Sequence, residues 1–268
     1  MSTIIRVLLM GDLFGKTGRS IFARHIRALQ EKYSIDISIV NGENCADGKG
    51  ITPEIAKFLQ SYGVQVITTG NHVWDKKEII PYMSEHDTVL RPANYPDKCP
   101  GTGMTFIQSK GFTVGIMNIM GRLFMPVQLD CPFAKVDKLL KESQTITPIM
   151  IVDFHAEVTA EKQAMGNYLD GRVSVVVGTH THVQTADATV LPKGTAYLTD
   201  LGMGGSLNSM IGAKKEALLY KMTMQMPVRH EVSNEAPYVL SGAVVTIDAS
   251  TGKSLSIETV YIVDNESL

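Results

Sequence analysis

The sequence runs to 268 residues with 44% apolar and 7% aromatic content, enough to bury the core of one large α/β unit. Lys and Arg number 25 against 27 Asp and Glu, so the net charge of −2 gives no strong nucleic-acid footprint and no broad field for a membrane surface. Cys45, Cys99 and Cys131 form no CxxC pair and are odd in number, which fits a reduced, cytoplasmic setting rather than a disulfide framework.

Residues 4–10 are apolar and β-rich and read as a buried strand; with Arg6 inside it and Gly11–Asp12 after it, the run is too short for a signal segment. No stretch approaches the roughly 20 apolar residues that span a bilayer. GDLFGKTGRS follows at 11–20, and then Ile21, Phe22, Ile26 and Leu29 mark a helix over 21–33. Gly15, Lys16 and Thr17 mimic the end of a phosphate-binding GxxxxGK[ST] loop. That motif needs its first glycine where Met10 stands, so the turn is read instead as exposing Asp12. Residues 35–40 form a second strand, which runs into NGENCADGKG with Glu43 and Asn44 where strand gives way to loop. Pro53 starts a helix to residue 62, Gly63 stops it, and 64–69 is the third strand. GNHVWDKKE then carries Asn71, His72 and Asp75, followed by a short helix at 77–83 and a short strand at 89–90.

The proline-rich stretch 91–103 reads as a surface crossover or a substrate-side loop. Residues 104–108 and 113–118 make a hairpin around Ser109, Lys110, Gly111 and Phe112. Gly121 and Arg122 come next, then a helix over 133–142, a strand over 149–153 leading to His155, and a helix over 159–166. Residues 173–177 are a further buried strand, ended by Gly178 and followed by His180 and His182. Residues 196–199 are a strand ending at Asp200, 201–212 a flexible loop, 214–224 a helix, and 228–232, 238–248 and 255–263 antiparallel strands. Met210, Met222, Met224 and Met226 read as core or interface packing, the latter in a homo-oligomer. No linker or repeat breaks the chain, so residues 1–268 read as one domain.

Alternating strands and helices argue for parallel βαβ units, and ligands in such sheets gather at the carboxyl ends of strands. Asp12, Glu43, Asn44, Asn71, His155, His180 and His182 all stand just past predicted strands. One such Asp or Asn is ordinarily a cap or a turn residue, but seven with one placement are not explained that way. In an extended loop His180 and His182 point to the same side. Three imidazoles, two carboxylates and two amide oxygens without a thiolate suit iron, manganese or zinc. Seven donors exceed one ion and fit two ions sharing a carboxylate, the arrangement used in phosphoester hydrolysis.

Gly11–Asp12, Gly42–Glu43–Asn44, Gly70–Asn71–His72 and GTHTH at 178–182 resemble the calcineurin-like metallophosphoesterases, whose pattern is DxH, GD, GNH, a later His and GHxH. Phe14 stands where DxH has its histidine, and Glu43 where GD has its aspartate. Those departures, with RPAN at 91–94 and GTHTHVQTAD at 178–187, resemble one branch, the YmdB-like bacterial cyclic-nucleotide phosphodiesterases, from Ile5 to about Ile262. The resemblance implies a four-layer α/β/β/α sandwich of two mixed sheets and two metal ions, iron or manganese with zinc as an alternative. It implies that Glu43 bridges the ions, that Asp12, Asn44 and His182 complete one site, and that Asn71, His155 and His180 complete the other. Asn44 would make up for the histidine absent at Phe14. It further implies attack of a metal hydroxide on the phosphorus of a 2′,3′- or 3′,5′-cyclic nucleotide, with His72 as proton donor.

Arg122 is a candidate clamp for a phosphate oxygen. Asp153, Glu157 and Asp187 flank histidines and are expected to orient them, as Asp75 would orient His72 if that residue only braces the site. Cys45 reads as packing and Trp74 as a wall for a base. The competing readings are a phosphatase or nuclease of the same superfamily, or a slow-turnover, nucleotide-responsive regulatory protein. A nuclease needs a phosphate-tracking basic groove, of which the composition gives no sign.

Overall fold

Alternation along the first strand decides the layering. In β1 (Ile4–Met10), Ile5, Val7 and Leu9 project to one face and Leu8 and Met10 to the other, and all five are buried, so the sheet must be covered on both sides. The protein, described by a computed structural model over residues 3–229 and 231–268, meets this with four layers. In chain order the elements after β1 are β2 (Asp12–Leu13), α1 (Gly15–Tyr33), β3 (Ile37–Asn41), α2 (Pro53–Ser61), β4 (Val66–Thr68) and α3 (Ile79–Glu85). Then come β5 (Met104–Ser109), β6 (Phe112–Met120), α4 (Pro132–Ser143), β7 (Met150–His155), α5 (Thr159–Leu169), β8 (Val175–Thr179), β9 (Thr189–Val190) and β10 (Ala196–Leu198). The chain closes with β11 (Met203–Ser206), α6 (Lys215–Met224), β12 (Tyr238–Asp248) and β13 (Ser254–Asp264).

Both sheets are mixed. In the first, β1, β3 and β4 are parallel, and β12 lies antiparallel to β1 with β13 along its other edge. Past the end of β1, β11 takes over the pairing with β12, and β2 runs parallel beside β11. The second sheet has the order β5-β6-β7-β8-β10-β9, with its four inner strands parallel and β5 and β9 antiparallel to their neighbours. Between the sheets, Ile5, Val7, Leu9 and Ile39 meet Ile116, Ile151, Val175 and Val177. Helices α1 to α3 cover the outer face of the first sheet through Phe22, Ile26, Leu59 and Ile79, and α4 and α5 cover the second through Val136, Met165 and Leu169. Each such side chain contributes about 1.5–3 kcal/mol on burial.

Four expectations are corrected. Helix α1 begins at Gly15, well before its apolar periodicity, because Gly18 lets the first turns press against β11: a methyl group at Gly18 would overlap the Gly204 carbonyl. The apparent phosphate-loop tripeptide is thus ordinary first-turn helix. Residues 203–206 are not a flexible loop but the buried strand β11, whose two glycines leave no apolar alternation to read. Residues 228–232, of which His230 lies outside the described residues, show no strand among the others; only Val232 bridges, to Ala213. Met222, Met224 and Met226 are exposed rather than core, since α6 buries only Leu218. Among the described residues no helix is long and apolar enough to cross a membrane.

Candidate metal centre

The carboxyl ends of strands from both sheets meet at one rim, and glycines allow the approach. A methyl group at Gly70 would overlap the His155 ring and Glu43 Oε2, so only glycine lets the 70–72 turn close on Glu43.

Two groups of donors result. In the first, His155 ends β7. Its Nδ1 is 2.9 Å from Thr179 Oγ1, and that hydroxyl donates to Asp153 Oδ1 at 2.7 Å, so Nδ1 carries the ring proton. Nε2 of His155 then faces Asn71 Oδ1 at 3.1 Å, Glu43 Oε1 at 3.2 Å and His180 Nδ1 at 3.1 Å. His180 Nε2 sits 2.9 Å from Glu157 Oε2, which makes Nε2 its donor and leaves the Nδ1 lone pair aimed at the same point. The ligand-capable atoms of Glu43, His155 and His180 all lie within 4.8 Å of one another. In the second group, His182 Nδ1 donates to Ile211 O at 2.8 Å, freeing its Nε2, which lies 3.2 Å from Asn44 Oδ1 and 3.9 Å from Asp12 Oδ1. Asn44 Nδ2 donates to Gly48 O at 3.0 Å, which turns its oxygen inward. Asp12 Oδ2 accepts from His180 N at 3.1 Å, whereas its fully buried Oδ1 has no partner, alone among the buried side-chain N and O atoms of the described residues.

In the neutral tautomers set by Thr179 and Glu157 the His155 and His180 lone pairs would repel one another and the facing oxygens, so without a cation a proton stands in at His155 Nε2, and the orphaned Asp12 oxygen costs its full desolvation. A cation relieves both, so these residues fit a metal of the kind that takes imidazole, carboxylate and amide donors. The electrostatics without one are correspondingly uneven. Burial pushes the Asp12 carboxyl up to about 7. Burial would also raise Glu43, but adjacent His155 outweighs it and holds the carboxyl at about 2. His155, lowered by burial alone, is carried to about 9 mainly by Glu43, while burial and then His155 depress His180 to about 3.

The histidine loop differs from expectation. His180 and His182 do not share a side of an extended segment; their φ angles of 100° and 66° send one ring to each donor group. Such left-handed backbone is unusual for residues this large and persists only where surroundings enforce it. Asp200, unnoticed in the sequence beyond its place at a strand end, does so. It is buried and accepts from Thr181 Oγ1 at 2.8 Å, Thr181 N at 3.2 Å and Lys162 Nζ at 2.6 Å, while its Oδ1 takes Gly202 N at 2.8 Å. Lys162 is itself buried, a placement that nothing in its helical surroundings announces. Asp153 acts on His155 through Thr179, and is itself held by Thr68 Oγ1 at 2.5 Å and Asn41 Nδ2 at 3.3 Å. Asp187 touches no histidine; it accepts from Thr199 instead.

His72 is half-buried, with its backbone N–H on Glu43 Oε2 at 3.2 Å and its Nδ1 on Asp75 Oδ2 at 2.9 Å, so Nε2 is the atom left to face a ligand. Arg122 is exposed on the loop after β6, next to Gly121, whose N–H donates to His155 O at 2.9 Å. Trp74 packs edge-on against Tyr95 at 5.7 Å. Cys45 is fully buried, which pushes its thiol up to about 12. Phe14, in the place of the absent histidine, is buried edge-on against His182 at 5.5 Å.

This last pair yields an expected result. Asn44→Ala should remove an inward oxygen and lower metal content relative to the native protein by weakening the His182 donor group. Phe14→Ala should leave the stoichiometry intact while costing about 3–5 kcal/mol of stability through the cavity it opens. Elemental analysis and thermal unfolding read the two effects, and equal metal loss in both variants would mean that Asn44 acts only through local packing.

A family model described as YmdB-like protein matches residues 8–260, which take in every strand end just described. A 2′,3′-cyclic-nucleotide 2′-phosphodiesterase of Bacillus subtilis (strain 168) is 45% identical over 261 residues, covering 97% of this chain and 98% of that protein. A crystal structure of a hypothetical protein from Thermus thermophilus matches with a TM-score of 0.91 and 37% identity over 97% of this chain and 100% of the other. One of a novel phosphatase from Mycoplasma pneumoniae matches at 0.93 and 34% over 99% and 96%. With the family model and a relative of 45% identity each spanning nearly the whole chain, the chain is a member of the YmdB-like protein family.

Proposed function

We propose that this chain is a two-metal phosphodiesterase that opens 2′,3′-cyclic nucleotides, with Glu43 bridging the ions and His72 serving as general acid. The observation that carries the reading is the convergence of Asn71 Oδ1, Glu43 Oε1 and His180 Nδ1 on His155 Nε2, beside the unpartnered Asp12 Oδ1. The name of the Bacillus subtilis relative supports the ring isomer and the 2′ ester as the bond broken.

Asn71, His155 and His180 would hold one ion and Asp12, Asn44 and His182 the other, iron or manganese by the donor set. Ions held there supply Lewis acidity toward the phosphate and lower the pKa of a coordinated water. The protein's own groups do the rest. Asp75 accepts from Nδ1–H and orients the His72 ring. The general-acid role uses the imidazolium, in which Nε2 also bears a proton, the one owed to the departing 2′ oxygen, and the His72 backbone N–H on Glu43 ties that acid to the bridging carboxylate. Arg122 at the rim offers a bidentate donor to a phosphate oxygen.

Metal-loaded and chelator-stripped protein should be compared on adenosine 2′,3′-cyclic phosphate and on adenosine 3′-monophosphate. The loaded protein is expected to release the 3′-monophosphate and stop there, and the stripped protein to be inactive. Equal turnover in both states, or faster cleavage of the monoester, overturns the reading; the latter would favour the phosphatase that the Mycoplasma pneumoniae structure is described as.

A further inference from the structure

Arg122, Leu123 and Phe124 hang across the rim between its two halves. On one side, Gly121 N donates to the carbonyl of His155. On the other, Met125 is buried in the apolar cluster against which Trp74, two residues beyond His72, packs. The backbone between is gripped by one buried carboxylate on α5: Arg122 N donates to Glu161 Oε1 at 2.9 Å and Oε2 at 3.3 Å, and Leu123 N to Oε2 at 3.2 Å. A methyl group at Gly121 would sit 2.6 Å from Glu161 Oε2, so glycine there is what lets the loop reach its clamp.

Met125 N to Arg122 O at 3.5 Å closes a turn with Phe124 in its third position at a φ of 58°. That position ordinarily holds Gly or Asn, and a bulky side chain is an outlier there. The Phe124 side chain gains no packing in return, being 90% exposed. A large aromatic ring kept in strained backbone, rigidly clamped, open to solvent and beside a catalytic rim has the properties of a surface waiting for a flat ligand.

We propose that Phe124 is the wall on which the nucleobase of the substrate stacks, and that Glu161 is the residue that positions it. The inference rests on the reading of the centre as a cyclic-nucleotide site. It divides the substrate by chemistry: the charged phosphate goes to the metal centre and Arg122, whereas the base, whose π-face suits any exposed ring, goes to Phe124. Trp74 is the weaker wall, since it is half-buried and committed edge-on to Tyr95.

The test uses metal-loaded protein, adenosine 2′,3′-cyclic phosphate, and glycerol 1,2-cyclic phosphate, which has the same five-membered phosphodiester ring and no base. Phe124→Ala should raise KM for the nucleotide about tenfold with kcat held, the usual cost of losing one base–aromatic stack. The base-free diester should change by no more than about twofold, as for a surface substitution. Phe124→Trp should restore the nucleotide KM. Glu161→Gln should raise the nucleotide KM likewise with metal content unchanged, because an amide presents a donor where two backbone N–H groups need acceptors. Since Glu161 also holds Arg122, this variant should raise the KM of the base-free diester as well. Calorimetric binding of adenosine 3′-monophosphate to the same variants gives a readout independent of turnover. An unchanged nucleotide KM and affinity in Phe124→Ala, or an equal rise for both diesters in that variant, overturns the stacking wall. If the native protein hydrolyses neither diester yet binds the monophosphate in a Phe124-dependent way, the phosphodiesterase reading falls and the wall stands; if it binds no nucleotide at all, both fall.

Discussion

Glu43→Gln is expected to lose metal and activity together while the fold survives. The carboxylate is buried, its two oxygens are divided between His155 Nε2 and the His72 N–H, and in the proposed centre its negative charge would let two cations sit close together. Gln keeps the shape. Its oxygen still accepts from His72, but the change removes the charge that faces protonated His155 in the metal-free protein, the pairing that holds Glu43 at about 2 and carries His155 to about 9. Metal content by elemental analysis should fall well below the two ions per chain expected of such a centre. Diesterase activity should drop by more than about 10²-fold, beyond the 10–100-fold cost of losing a mere supporting partner. The thermal midpoint of the metal-free variant should fall below that of the metal-free native protein near neutral pH, because the lowered carboxyl and the raised imidazole both stabilise the fold there. Two bound ions with full activity would sink the bridging assignment, and a metal-free variant with no cooperative unfolding transition would show that Glu43 is needed for folding itself.

His72→Ala separates chemistry from scaffolding by the leaving group. A ribose oxygen departs poorly without a proton, and a positioned general acid contributes about 10²–10⁴-fold. A nitrophenolate needs no such help. The variant should lose that factor on the cyclic nucleotide, lose little on a nitrophenyl phosphodiester, and keep its metal. If instead His72 only braces the 70–72 turn against Glu43, both substrates should slow by a similar factor and metal should be lost with them. The geometry makes the comparison clean, because the turn is anchored to Glu43 by the His72 backbone N–H, which alanine retains.

The sequence carried the donors because their signal is local: an apolar run, a glycine, then a polar residue, repeated at Asp12, Glu43, Asn71 and His180. Period-two alternation in β1 likewise announced a sheet covered on both faces. What stayed hidden depended on contacts between distant segments. Asp200 and Lys162 look like a strand-end acid and a surface lysine, and only the fold brings them to 2.6 Å behind the histidine loop. Asp153 was expected to orient a histidine, but that it does so through the hydroxyl of Thr179 is set by the pairing of two distant strands. β11 escaped because Gly204 and Gly205 erase the apolar pattern, and their reason for being glycine lies in strands and helices elsewhere in the chain. Phe124 gave no warning either, since a left-handed φ at a phenylalanine is visible only in three dimensions.

The pairing of β1 with β12, in which Ile4 lies opposite Asp248, bears on how the protein comes into being. β1 leaves the ribosome long before β12, so in the interval one edge of the central strand stands open. Its apolar side chains are then exposed to whatever other strands are at hand. Contacts of this span also make folding slow relative to chains whose neighbours are near in sequence. The donors are split in the same way, with Asp12, Glu43 and Asn71 emerging long before His155, His180 and His182. The full donor set therefore exists only once His182 has been made, and a nascent protein that stalls before β12 and β13 has no closed first sheet.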